Sequence, residues 1–409
     1  MKTPLAWYNV AHNKVRTALA VSGVTFAAVL MFMQLGFLGA VTRTATVIYD
    51  ALDFDILVRS PMYLHACDAR GFPAARLQQL EGIPGVKSAT PFFITLNRWQ
   101  NPADATVKRG ILTMGVRPES QVFVSDEIQR LVPLLTTDFG VMIDRKSKPE
   151  YGPLNGRTFS DLDVGRETEL TEKRVQIQGH FALGTGLAAN AAVLMSDRGF
   201  VRVSPGTSID TPNLGLIKLD GHYDPVQNAQ VAESMRQSIS RSAGSDSDHG
   251  TDLRRAGSTN TGDIEILTRE TAIAAERKYW IFDKSIGIIF MMGVAVAFIV
   301  GTAIVYQVLA SDVANHLPEY ATLKAMGYSN RYLATVVLMQ ALALAMMGYW
   351  IGMLLSYILF RWTSWWTGIP IEMNLWIVVT VLIACVTLCS LSGLGALRKA
   401  FLADPADLF

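Results

Sequence analysis

The chain has 409 residues, half of them hydrophobic, and a formal net charge of +1, a balance that excludes the basic surface a nucleic-acid partner demands. Arg43 to Asp283 hold 27 of the 36 basic and 30 of the 35 acidic residues, so the other 168 positions carry 14 of the 71 charges. Such segregation excludes a purely soluble protein and a disordered chain, and three cysteines exclude a disulfide-stapled secreted domain.

Residues 1–16 carry Lys2, Lys14 and Arg16 without an acidic residue, which predicts a cytoplasmic N-terminal segment by the positive-inside rule. Thr17–Thr42 is free of Asp, Glu, Lys and Arg for longer than the roughly 20 residues that cross a ~30 Å hydrocarbon core. The run exceeds the ~7–15 apolar residues of a signal peptide, so it is read as an uncleaved first span. Val41–Leu52 continues it without a breaker, as a stalk.

Residues 43–283 are expected outside the cytoplasm as a mixed α/β domain, large enough for its own core in two lobes. Short β-branched and aromatic runs at Phe54–Val58, Val86–Thr90, Phe92–Leu96, Gly110–Val116 and Val175–Phe181 predict strands. Helices are expected at Ala74–Leu80, Asp126–Leu131 and Pro225–Ser238. Gln237–Asp263, rich in Ser, Gly and Asp, is read as a flexible loop. Arg269–Asp283 is read as a second stalk helix running straight into the second span, with Trp280 and Phe282 near the lipid interface. Thr46 and Ala275 mark the two stalks as positions for cross-linking.

Three more charge-free runs follow at Ser285–Ser311, Tyr332–Phe360 and Met373–Leu397. Their continuous apolarity lacks the period-2 alternation of a membrane barrel, so all four are helices. Residues 312–331 form an inner loop, 361–372 a short outer loop, and 398–409 a cytoplasmic tail that begins with Arg398 and Lys399. Cys385 and Cys389, four apart on the last span, read as small packing residues.

No Gly-x-x-x-x-Gly-Lys-Ser/Thr occurs, so the phosphate-cradling loop of ATP hydrolysis is absent. The six histidines are scattered without a His-Glu-x-x-His pair, and His65-Ala66-Cys67-Asp68 reads as a surface turn. Gly184-Thr185-Gly186-Leu187-Ala188-Ala189 fits only a relaxed dinucleotide fingerprint outside any repeated βαβ unit, and is read as a turn. The charge-free spans hold no ionisable group for ion or proton coupling.

In the inner loop, Pro318 suits a first helical turn, Glu319 favours the positive helix end and Gly327 a C-terminal stop. A short helix near Pro318–Met326 then offers Leu317, Tyr320, Leu323 and Met326 as anchors for a groove on a partner, or serves as a plain connector.

Glu319-x-x-x-Leu323-Lys324-Ala325-Met326-Gly327 resembles the coupling segment of ABC permeases of the FtsX/MacB superfamily, with Pro318 where the family often has Arg. The longer string Val305-Tyr306-Gln307 and His316–Tyr328 is similar to the DevC branch, as are Pro4–Trp7, Met31–Phe37, Leu52–Ile56, Glu276–Trp280 and Ala403–Phe409. The resemblance implies a permease subunit without catalytic, cofactor or metal residues of its own, whose coupling residues are Leu317, Glu319, Tyr320, Leu323, Lys324, Met326 and Gly327. It implies ATP use by a separate cytoplasmic ABC ATPase, a periplasmic membrane-fusion adaptor and a TolC-like outer-membrane channel. Two ATPases are matched most simply by a second copy of the chain. Cargo would be a lipid, glycolipid or other compound, and the site the bacterial inner membrane. An FtsX-like signalling permease that activates an outer enzyme is the alternative, and a ligand-binding receptor or scaffold is a third.

Overall fold

A computed structural model describes residues 14–184, 190–221, 223–244, 262–315, 322, 326, 329–367 and 369–402. In chain order the regular elements are α1 (Lys14–Ala51), β1 (Ile56–Arg59), α2 (Ala75–Glu81), β2 (Val86–Asn101), β3 (Asp104–Val116), α3 (Asp126–Leu131) and β4 (Gly140–Asp144). They continue with β5 (Glu167–Leu170), β6 (Lys173–Phe181), β7 (Ala192–Ser196), α4 (Asp197–Val203), β8 (Leu214–Leu219), α5 (Pro225–Gly244) and β9 (Glu265–Thr268). The last are α6 (Arg269–Lys278), α7 (Ile286–Asn315), α8 (Asn330–Thr367) and α9 (Leu375–Leu402). Helices α1, α7, α8 and α9 are each long and apolar enough to cross a membrane, and the mixed α/β domain is inserted between the first and second. The chain divides into two compact units, residues 42–284 and the remainder.

In the membrane unit α1 is the centre. Its Val24, Ala27, Ala28, Met31 and Phe32 share one buried cluster with Val305 and Leu309 of α7, Val337 and Tyr349 of α8, and Val381, Cys385, Leu388 and Cys389 of α9. Half of α1's apolar window is buried in the protein against 17% of α7's, so α7 turns most of its surface outward. Lipid tails are as apolar as leucine, so close packing rather than hydrophobicity holds such helices together, and small residues permit it. On α8 a Cβ at Gly348 would lie 2.5 Å from the Val24 Cβ, and one at Gly352 would lie 2.7 Å from the Ala28 Cβ. Gly352→Ala is therefore expected to cost about 1–3 kcal/mol as overpacking. The check is the melting temperature of the full chain in detergent; an unchanged value would mean that α1 and α8 have room to part.

The charged residues that bound the apolar runs do not end the helices. α1 passes Arg43 to reach Ala51, α7 passes Asp312 to reach Asn315, and α8 passes Arg361 to reach Thr367. The expected outer loop 361–372 is thus helical through Thr367, with Trp362 and Trp366 stacked 6.0 Å apart on its last turns. The expected straight run from the second stalk into the second span is broken. A π-type turn at Tyr279–Asp283 follows α6, and Ser285 sits at φ 59° before α7 begins.

In the inserted domain the strand order is β3-β7-β4-β6-β5-β2-β8-β1-β9, and β2 pairs back with β3. Strands β2, β3, β7, β4, β6 and β5 thereby close into a ring, which leaves no edge among them. One long strand joins the two halves of the domain. Val86–Phe92 of β2 pairs with β8 in an open sheet, while Phe93–Asn101 pairs with β3 in the ring. Helices α2 and α5 cover one face of the open sheet, burying Leu77, Leu80, Ala232, Met235 and Ile239 against Ile56, Val58, Ile217 and Ile266. The opposite face buries Leu57, Leu216 and Leu267 in a cluster with Ile94, Leu112 and Leu194 of the ring. The two sheet sections therefore share a core instead of forming separate lobes. The expected loop from Gln237 begins as helix: α5 runs to Gly244 because Ile239 extends the apolar row of Ala232 and Met235. Residues 245–261, including His249, lie outside the described residues.

Candidate functional site

The inner loop is described at two positions between Asn315 and Ser329. The Met326 N–H donates to the Thr322 carbonyl at 3.0 Å, one α-helical turn, and both residues are exposed. Met326, 63% exposed, is one of the expected apolar anchors. Leu317, Glu319, Tyr320, Leu323, Lys324 and Gly327 lie outside the described residues. Both ends of the loop are held by short-range bonds. Asn315 Nδ2 donates to the Ser311 carbonyl at 2.7 Å, and the Tyr332 N–H donates to the Ser329 carbonyl at 2.9 Å ahead of α8.

The second constellation is the junction of the two stalks, entirely within residues 42–284. The last carbonyls of a helix lack intrahelical partners and carry partial negative charge. α1 has no basic residue in its last turn. Arg269, the first residue of α6, supplies the cation: its guanidinium donates to the carbonyls of Leu52 at 2.6 Å and Tyr49 at 3.0 Å. It lies 4.9 Å from the Phe54 ring centroid. Thr268 caps α6 in turn, accepting from the Thr271 N–H. Arg269→Ala removes charge-assisted bonds worth about 1.5–3 kcal/mol, so the full chain should melt at lower temperature. A variant that melts with the wild type would leave the cap without energetic weight.

Two turns further along α6, Glu276 is 1% exposed and fully occupied. Its Oε2 accepts from the Tyr63 hydroxyl at 2.7 Å. Its Oε1 accepts from the Ala66 N–H and from Trp280 Nε1, each at 3.1 Å. The Tyr63 hydroxyl also meets the Tyr49 hydroxyl of α1 at 2.6 Å. A chain of buried polar contacts thus runs from α1 through the loop after β1 to α6. Arg59, held by Glu265 at 2.8 Å, lies 4.3 Å over the Tyr63 ring. Burial pushes the Glu276 carboxyl above the ordinary glutamate range, although its three donors and Arg59 pull it back. Burial likewise raises the Tyr63 phenol well above its ordinary value.

The His65–Asp68 turn packs inward here, which corrects its reading as a surface turn. Ala66 and Cys67 are buried, and the His65 ring stacks on Tyr279 at 5.3 Å and tilts against Trp280 at 5.2 Å. Burial also lowers the His65 pKa and pushes the Cys67 thiol up to about 12, so Cys67 is an inert thiol at neutral pH. Trp280, expected at a lipid interface, donates its N–H to Glu276. Thr46 is fully buried and donates to Asp50, so it offers no handle for cross-linking. A small cavity of about 30 Å³ beside Glu276 has Ile48, Cys67, Leu112 and Trp280 in its wall, room for a water or two.

Among the described residues no group of His, Cys, Asp and Glu is placed to hold a metal. The described start of the glycine run is satisfied internally. The Leu183 and Gly184 N–H groups, with that of Lys146, donate to the buried Asp144 carboxylate, leaving those amides no free bond for a phosphate. Residues 185–189 lie outside the described residues. The sequence had singled out Glu276–Trp280 as a string, but not the carboxylate as its centre. The available signal was an acidic residue four before a tryptophan on an otherwise amphipathic stalk.

Among curated proteins none matches the chain. The chain is similar to the periplasmic region of MacB from Actinobacillus actinomycetemcomitans, at 9% identity and a TM-score of 0.34, over 55% of this chain and 93% of that one. It is also similar to the extracellular domain of the ABC-type transporter YknZ from Gram-positive bacteria, at 12% identity and a TM-score of 0.34, over 53% of this chain and all of that one. Residues 291–405, from the first turns of α7 through the inner loop and α8 to the end of α9, match the family model described as FtsX-like permease C-terminal. The matched residues take in the last three of the four long apolar helices.

Proposed function

We propose that the chain is the membrane permease subunit of an ABC-type exporter of the DevC/MacB kind, in the bacterial inner membrane with both termini cytoplasmic and the large domain periplasmic. The observation that carries this reading is the FtsX-like match over 291–405, which includes the inner loop, in a chain with no phosphate-cradling sequence. ATP is then hydrolysed by a separate cytoplasmic ATPase that docks on Leu317, Glu319, Tyr320, Leu323, Lys324, Met326 and Gly327. Two copies of the chain pair with two ATPases, and a periplasmic adaptor and a TolC-like channel complete the path for a lipid, glycolipid or other compound. The work is mechanical. ATPase closure displaces the spans, and α1, one helix from Lys14 to Ala51, passes the motion to a domain gripped by Arg269 and Glu276.

The full chain purified alone should show no ATP hydrolysis; turnover by the isolated chain would end the division of labour. A pull-down from the native membrane should bring an ATPase and an adaptor. Recovery of a wall hydrolase without an adaptor would favour the signalling permease, and recovery of neither would favour a receptor.

A further inference from the structure

The charge-free runs left the spans without an ionisable group, yet α7 continues past Ser311 and carries Asp312 into the packed bundle. Asp312 is 7% exposed and Gln340 of α8 is 5% exposed, and Gln340 Nε2 donates to Asp312 Oδ2 at 2.6 Å. Their neighbours along the helices, Leu309, Val313, Val337 and Ala341, all belong to the buried apolar cluster of the bundle. A carboxylate in such surroundings is costly, and its hydrogen bonds are correspondingly strong and directional. The position is telling. Asp312 lies three residues before the end of α7, and Gln340 lies ten residues into α8, about 15 Å along that helix at 1.5 Å per residue. The bond therefore ties the two helices together just before the chain leaves for the inner loop and well after it returns.

We infer that Asp312 and Gln340 are positioning residues that fix the base of the inner loop, so that force applied to the loop moves α7 and α8 as one body. The inference rests on the coupling role proposed for that loop. It assigns to a buried hydrogen bond the transmission that the loop begins.

The test uses the full chain at one copy per lipid nanodisc, spin-labelled at Ala314→Cys and Arg331→Cys, two exposed positions flanking the loop. The native Cys67, Cys385 and Cys389 are all buried, which keeps labelling selective. Asp312→Ala and Gln340→Leu should each roughly double the width of the label-to-label distance distribution, and the double variant should add little to either single one. Asp312→Asn keeps an acceptor oxygen and should stay near wild type. A wild-type width in both Asp312→Ala and Gln340→Leu overturns the proposal, because a merely space-filling pair would lower the melting temperature and leave the width alone. An Asp312→Asn distribution as broad as that of Asp312→Ala overturns it too. Gln340→Leu retains the volume and decides the matter where Asp312→Ala does not fold. Capture of the ATPase is scored separately on unlabelled wild type. Its absence, with the widths still responding, refutes the docking reading and not the hydrogen-bonded base.

Discussion

Leu323→Asp is expected to abolish productive coupling while the four spans remain folded. A short docking helix holds its groove through a few apolar anchors that dominate the interface. Removing a buried leucine contact costs ~2–5 kcal/mol, which corresponds to about 30-fold or more in affinity for the ATPase. Glu319, at the rim of the proposed interface, is expected to contribute only ~0–1 kcal/mol. Thr322→Ala is the matched control, because Thr322 is exposed and the turn it shares with Met326 is made by backbone atoms. ATPase capture and transport are measured for both variants. Equal, wild-type values would leave the helix a connector and take the coupling residues with it.

Glu276→Ala should be the most damaging single change in the inserted domain. It strips the acceptor from Tyr63, from the Ala66 N–H and from Trp280 at once. Each buried donor left unsatisfied costs about 1–3 kcal/mol, so a loss of roughly 3 kcal/mol or more is expected. Glu276→Gln separates packing from charge. The wild-type carboxyl holds its proton to higher pH when folded than when unfolded, because burial disfavours its charged form. Its contribution to stability is therefore full below the ordinary glutamate pKa of about 4.3 and is lost as pH rises through the raised folded value. The melting temperature of the wild type, relative to that of Glu276→Gln, should fall as pH rises above the ordinary glutamate pKa of about 4.3. Parallel pH profiles for the two proteins would show that the buried carboxyl does not titrate differently on folding.

The legible part of this protein was what repeats locally. Strands β1, β2, β3 and β6 were visible because β-branched and aromatic residues cluster there between turn residues. Strands β4 and β7 were not. Gly140–Asp144 and Ala192–Ser196 are five-residue runs buried at every position, and a short continuous apolar run has no period to separate strand from buried helix. Both pair in parallel with a neighbouring strand, β4 with β6 and β7 with β3, the arrangement in which alternation disappears. Of the seven residues proposed for coupling, all carried by the spacing of apolar positions and the resemblance, Met326 alone is described, exposed and on a helical turn.

Hydrophobic run length by itself determined the four spans and the insertion between the first two, since the bilayer imposes one thickness on any helix that crosses it. The residue order likewise determined that no Gly-x-x-x-x-Gly-Lys-Ser/Thr string occurs. The tertiary structure decided what ties these pieces together. Arg269 reaches the Tyr49 carbonyl across 220 positions, Glu276 reaches Tyr63 across 213, and Asp312 reaches Gln340 across the inner loop. Each of these polar groups looks like an ordinary surface residue in its own segment. Only packing removes its water and names its partner, and hydrophobic periodicity records which face is buried but not what it is buried against.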